Sequence, residues 1–385
     1  PKDEILRHYL PAQERNLQHW NSGRAQLEQL PPGVAGAHRR VARLPDGKIV
    51  FRNWDDSKID YKTRTGVRAE SAQEDLELGE QRIAGISDEH ERAEAWEHLI
   101  RSVLAACESM QDMSDYQLGD RIHQVTNRTI DIAPSWLQAN MAEKYRMTAL
   151  AYESTGQMDK AEHCWTRFNQ LGEVLQDMWV QTDEDHGWYT DLNVKDGTQT
   201  GALNAAHALP LLVPGLVPYE NAVKMANTFR DKLLGNYGLN TSDIQGCDEQ
   251  WSGKRNWPSL ALWAMHGFMQ AGVDAKAKGL DPKPFVVLAD DIRCAMTEGM
   301  QAWYDANGTI VERIWDVDPR RVATGGEYCQ DPDPSKAQHG FGMSIGAHRT
   351  LTSFNLTEMP LEPRDGSWLK QGFANVMGFT GLSGV

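Results

Sequence analysis

Residues 135–180 read SWLQANMAEKYRMTALAYESTGQMDKAEHCWTRFNQLGEVLQDMWV, and this stretch decides the fold class. Leu137, Met141, Tyr145, Ala149 and Tyr152 recur at helical spacing, which predicts one buried stripe on a helix from Ser135 to Ser154. Gly156 stops that helix, and Asp159 opens a partner running to about Val180. Two helices joined by a turn of a few residues make an antiparallel hairpin. Upstream, Asp88 to Cys107 is a further predicted helix, with Ser87 as its N-cap and Trp96, Leu99, Ile100, Val103 and Leu104 on one face. The pattern recurs downstream at Tyr219–Leu234, Trp257–Gly272, Pro284–Asp305 and Gly340–Phe354. Strand signals are few and short, for example Lys48–Arg52 and Gly308–Val311. The reading is one all-helical domain of paired helices over residues 61–385. An irregular segment, residues 1–60, precedes it and breaks at Leu30-Pro31-Pro32-Gly33.

Composition narrows the function classes. A chain of 385 residues with 40% apolar and 24% charged residues is expected to be soluble and globular. No apolar run is long enough to span a bilayer. A net charge of -15 argues against a nucleic-acid partner, because it repels a phosphate backbone. The five cysteines, Cys107, Cys164, Cys247, Cys294 and Cys329, are scattered and form neither a disulfide framework nor a CxxC zinc pattern. His98, His123, His163, His186 and His207 lack metal-ligand spacing, so no metal and no cofactor is expected. Walker and GxGxxG patterns are absent from the sequence. Sequons at Asn127, Asn240, Asn307 and Asn355 fit a secreted protein, and such triplets also arise by chance.

Two acid-bearing loops remain. Val311-Glu312-Arg313-Ile314-Trp315-Asp316 lies about two hundred residues after Cys107-Glu108-Ser109-Met110-Gln111-Asp112-Met113-Ser114. Glycoside hydrolysis needs two carboxylates across a sugar, one protonated and one ionised. Each stretch holds acids next to small residues and near aromatics or methionines. Thirteen tryptophans serve a core, and sugar sites also use such flat apolar faces.

The loop blocks carry a resemblance. Arg68-Ala69-Glu70-Ser71-Ala72-Gln73-Glu74-Asp75 is similar to R-P-E-S-Y-x-E-D, and Glu108–Ser114 to E-S-G-W-D-F-S. Thr129–Pro134 resembles T-T-D-I-x-P, and Asp183–Asp191 resembles D-E-E-x-G-W-Y-x-D. Glu249–Pro258 resembles Q-Q-W-D-x-P-N-G-W-A-P. Val311–Asp316 resembles V-E-K-Y-D, and Gly325–Tyr328 with Gln338–Gly342 resembles G-G-E-Y … Q-D-G-F-G. Their shared order over roughly residues 45–355 resembles glycoside hydrolase family 37, the trehalases. The resemblance implies an (α/α)6 toroid and an inverting hydrolysis of α,α-trehalose to two glucoses. It gives Asp112 as general acid and Glu312 as general base. It implies a sugar site made of Arg68, Glu70, Gln250, Trp251, Trp257, Glu327 and Phe341, with a disaccharide as the partner. Met110-Gln111 and Lys254-Arg255-Asn256 depart from the family pattern. They favour, as alternatives, a related toroid glycosidase for another α-linked glucoside or mannoside, or a weakly active sugar-binding relative.

The family's upstream P-G-G-R-F … W-D-S-Y block has no counterpart, and the chain starts at Pro1 without a signal segment. The expectation is therefore a processed chain or a fragment. Either residues 1–60, a preceding segment or a second chain would close the ring.

Overall fold

The computed structural model describes residues 2–31, 40–54, 79–81, 83–107, 129–244, 251, 253–308, 310, 313–316 and 342–353. They fall into two compact units, Pro1–Val180 with Tyr189–Ala202, and Gln181–Trp188 with Leu203–Val385. The boundary expected at residue 60 lies outside the described residues.

In the first unit, α1 (Lys2–Trp20) and α2 (Arg24–Gln29) precede an antiparallel hairpin, β1 (Val41–Arg43) with β2 (Ile49–Phe51). The segment read as irregular thus holds a helix of 19 residues. Pro11 sits inside it and obscures the helical signal, because proline supplies no amide donor. Buried Leu10 marks the face that packs on the rest of the unit, and Lys144 Nζ donates to Asn16 at 2.7 Å.

Next come α3 (Glu89–Cys107), a 3-10 turn (Thr129–Asp131), β3 (Ile132–Ala133), α4 (Ser135–Ser154) and α5 (Met158–Asp177). β4 (Leu192–Asn193) pairs antiparallel with β3. The N-cap of α3 is Asp88 rather than Ser87. Its Oδ1 accepts the Glu91 amide at 2.8 Å, and a carboxylate there also meets the positive end of the helix dipole.

The hairpin α4–α5 forms as its sequence predicts. All five stripe residues of α4 are buried, each large side chain contributing roughly 1.5–3 kcal/mol. Gly156, at φ 74, makes the left-handed turn, and the Gln157 amide returns to the Tyr152 carbonyl at 2.9 Å. α5 buries Ala161, Cys164, Leu171, Val174 and Leu175 on one face. Buried Gln138 serves as a strand partner: its Oε1 accepts the Phe51 amide at 2.8 Å, and its Nε2 donates to the Phe51 carbonyl at 2.6 Å. This satisfies a buried amide and fixes β2 on α4.

The second unit contains a 3-10 helix (Ala205–Leu212), α6 (Tyr219–Thr228), α7 (Pro258–Ala277), α8 (Lys283–Asn307) and α9 (Gly342–Ser353). The 3-10 helix escaped the sequence reading because its apolar run has no 3.6-residue period. Asn204 caps it through a reciprocal pair of bonds with Ala206 and His207. α6 ends in a π-turn, Phe229–Leu233, inside the predicted helix. A short ladder, β5 (Arg255–Asn256) with β6 (Ile314–Trp315), completes the unit. The strand expected at Gly308–Val311 is not found where its residues are described. Gly308 instead ends α8 in the left-handed region, at φ 70.

Buried His266 of α7 gives the second unit a pH dependence of known sign. Burial lowers its pKa to about 4, against an unfolded value near 6.5, so the folded state keeps it neutral. Stability is full above about pH 6.5 and falls as pH drops toward 4, by roughly 3 kcal/mol at most. Urea unfolding at pH 7.5 and 4.5 should show this loss, and His266→Gln should remove most of it. An unchanged pH slope in His266→Gln would assign the loss to other groups.

Candidate active site

Of the expected site residues, Trp251 and Trp257 are described. Arg68, Glu70, Asp112, Gln250, Glu312, Glu327 and Phe341 lie outside the described residues. The structure does describe the segments that border several of them.

In the second unit, two sequence blocks far apart in the chain meet through β5 and β6. Arg255 pairs with Trp315, and Asn256 pairs with Ile314. The Asp316 amide then donates to the Lys254 carbonyl at 3.0 Å. The Tyr237 amide donates to Asp316 Oδ1 at 2.9 Å, which holds the far end of β6. Lys254-Arg255-Asn256, the departure from the family pattern, therefore contains the strand that receives the block 313–316.

Trp257 leaves β5 and enters α7 directly, with Pro258 at the first helical position. Its ring lies parallel to Trp251, with centroids 3.6 Å apart and planes at 4°. The Arg313 guanidinium stands over the Trp257 ring, 5.7 Å from its centre. A cation on an aromatic face is attracted by the ring quadrupole. Trp257 is 2% exposed and Trp251 7%, so the pair is a buried wall rather than an open platform. Arg313 is the residue that the sequence reading passed over. Its signal was the basic residue following the acid in Val311-Glu312-Arg313.

In the first unit, the borders of two other blocks converge. Trp54, before the block of Arg68 and Glu70, receives the Arg52 guanidinium at 4.7 Å and that of Arg101 at 5.6 Å. Arg52 is buried and donates to the Ile130 carbonyl at 2.8 Å. Burial pulls its pKa down to about 10, and the Asp131 charge opposes that shift. Arg52 therefore stays charged at neutral pH.

Asp131 is buried and binds His98 Nε2 at 3.1 Å and Lys195 Nζ at 2.9 Å. Burial pushes its pKa up, but the His98 bond and charge, followed by those of Lys195, hold it below the ordinary carboxylate value. His98 is on α3, which ends at Cys107, and Asp131 closes the turn that follows residue 128. The His98–Asp131 bond thus ties together the two described ends of the segment that holds Asp112. Asp191 plays a scaffold role nearby: its Oδ1 accepts the Ser135 amide at 2.8 Å and so caps α4.

Among the described residues no group of three His, Cys, Asp or Glu could hold a metal ion. No described helix is long and apolar enough to cross a membrane.

A sequence model of the trehalase family matches residues 2–354. That match begins well before residue 45, where the recognisable blocks start. The chain is 28% identical over 365 residues to the periplasmic trehalase of Escherichia coli O8, covering 94% of this chain and 56% of that protein. It is 27% identical over 345 residues to the periplasmic trehalase of Salmonella dublin, covering 89% and 53%. The chain thus spans about half the length of the curated relatives it matches. Among solved structures, neutral trehalase from Saccharomyces cerevisiae superposes with a TM-score of 0.53 at 14% identity, over 70% of this chain and 49% of that one. That likeness shows the fold class that the family resemblance implied, the all-α (α/α)6 class.

Proposed function

The chain belongs to the trehalase family, and from that premise we propose that it is an inverting glycoside hydrolase acting on α,α-trehalose. Asp112 is the general acid and Glu312 the general base. Arg68, Glu70, Gln250, Trp251, Trp257, Glu327 and Phe341 form the sugar site. One observation carries this reading: the β5–β6 ladder joins the block of Trp251 and Trp257 to the block that follows Glu312. Two of the segments to which the family resemblance assigns site residues are thus paired in one ladder. Arg313 next in sequence supplies a fixed positive charge, which favours an ionised base.

In the proposed reaction Asp112 gives its proton to the bridging oxygen as the C1–O bond breaks. Water attacks C1 from the opposite face and passes its proton to Glu312. The two carboxyls need to stand about 6.5–9.5 Å apart to admit that water. Asp112 is rebuilt as the acid by proton exchange with solvent.

The stereochemistry tests this directly. Proton NMR in the first minutes of trehalose hydrolysis should show equal amounts of β-glucose and α-glucose. The β anomer comes from the attacked ring and the α anomer from the leaving half. Release of α-glucose alone would mean retention and would remove Glu312 as base. Lys254-Arg255-Asn256 favours a second reading, since Arg255 is buried in β5, two residues before Trp257. In that reading the substrate is another α-linked glucoside or mannoside. A panel of such sugars at equal concentration, read by released monosaccharide, separates the two.

A further inference from the structure

The first unit has a cleft lined by α2, the β1–β2 turn, α4 and α5. Its cavity is about 300 Å³, at the small end of the range for ligand pockets. α2 supplies Arg24 and Glu28, the β1–β2 turn supplies Lys48, and α5 supplies Arg167, Gln170 and Glu173. Ile49, Leu171 and Val174 give it an apolar floor.

The guanidinium groups of Arg24 and Arg167 share one carboxylate. Glu28 Oε1 accepts Arg24 Nε at 3.0 Å and Arg167 Nη2 at 3.1 Å. Arg167 Nη1 also donates to Gln170 Oε1 at 2.6 Å. The Arg24 side chain is only 13% exposed, and its two Nη groups have no acceptor among the described residues. Burial lowers the Arg24 pKa, and the like charge of Arg167 lowers it further. Two guanidinium groups thus face the single carboxylate of Glu28, while Glu173 lines the cleft without an ion pair to either of them. Lys48 is held by Asp177 and Asp46.

A forked guanidinium with free Nη donors matches the two oxygens of a phosphate or carboxylate. The other features of the cleft suit a different part of the same ligand. Glu173 and the second oxygen of Glu28 accept from hydroxyls, and the apolar floor suits a sugar ring's face. We propose that this cleft binds a monosaccharide-sized polyol bearing one phosphate or carboxylate, with the oxyanion on Arg24 and Arg167. Its lining shares no residue with the proposed hydrolytic site, so an anionic sugar bound here would act on the protein without taking the place of the substrate.

Isothermal titration at constant ionic strength tests this with glucose 6-phosphate, inorganic phosphate and glucose as probes. Glucose 6-phosphate should bind at least about tenfold tighter than either of the others. Arg167→Gln should weaken it by about tenfold or more, the scale expected for loss of one charge-assisted pair. Glu28→Gln should tighten it several-fold, because the internal anion that competes for both arginines is lost. A misfolded variant cannot produce that gain. The proposal is overturned if inorganic phosphate binds as tightly as glucose 6-phosphate. It is equally overturned if Arg167→Gln titrates like the parent, or if Glu28→Gln weakens binding.

Discussion

Asp112→Asn and Glu312→Gln should each lower the turnover of trehalose by roughly 10²–10⁴-fold, the usual worth of a positioned proton donor or acceptor. Both changes keep shape and hydrogen-bonding capacity, so thermal unfolding should move little. The amide in place of Asp112 cannot protonate the leaving oxygen, and the one in place of Glu312 cannot take a proton from water. The parent should show a bell-shaped pH–rate profile, because one carboxyl must be protonated while the other is ionised. Each variant should lose the limb that its residue sets. The two losses should not add in the double variant, since the acid and base act on one transition state. Near-parental turnover in either variant, with released glucose as the readout, would remove that residue from the mechanism. The other members of the proposed sugar site would then need reassignment around the remaining acid.

The parts legible in the sequence were those with a repeating period or a family spacing. Leu137 to Tyr152 announced α4, because a buried stripe at 3.6-residue spacing leaves few other readings. Gly156 announced the turn, because only glycine adopts a left-handed φ there without cost. Short-range choices were less legible. Ser87 and Asp88 are both good caps, and the outcome turned on which side chain reached the third amide. Gly308–Val311 looked extended, but the glycine was needed to terminate α8. Proline at residue 11 hid α1, which tertiary packing nevertheless sustains. For the site, family spacing pointed to Trp251 and Trp257 as lining residues. It did not predict that they would stack on each other, or that Arg313 would stand over the Trp257 ring. A pairing between residues about sixty apart has no signature in a single sequence. The roles of Asp131 and Asp191 were equally hidden, since their partners lie 33 to 64 residues away.

Gly299→Ala should destabilise the second unit by roughly 3 kcal/mol or more and lower activity further than that loss explains. Gly299 is in the interior of α8, where alanine is ordinarily the better residue by about 0.5–1 kcal/mol. Helix propensity alone therefore predicts stabilisation, so the sign of the effect decides between two accounts. A β-carbon at this position would lie 2.1 Å from the Tyr237 carbonyl oxygen and 2.8 Å from Ile314 Cδ1. The isoleucine tip can turn aside, but the carbonyl belongs to the backbone. The turn that holds it has little freedom, because a β-carbon on Gly235 would meet the Asp316 carboxyl at 2.3 Å. The Tyr237 amide is itself bonded to that carboxyl at 2.9 Å. α8 must then withdraw, or the turn must push Asp316 and β6 away from β5. Either response displaces Arg313 relative to the stacked tryptophans, beside the proposed base. A displacement of about 1 Å in a catalytic constellation can cost on the order of 10²-fold in rate. Denaturant unfolding gives the stability change. The rate of trehalose hydrolysis, measured where both proteins are fully folded, gives the separate effect on the site. A more stable Gly299→Ala variant with parental activity would mean that α8 and the 235–238 turn are not in the close contact on which the placement of β6 depends.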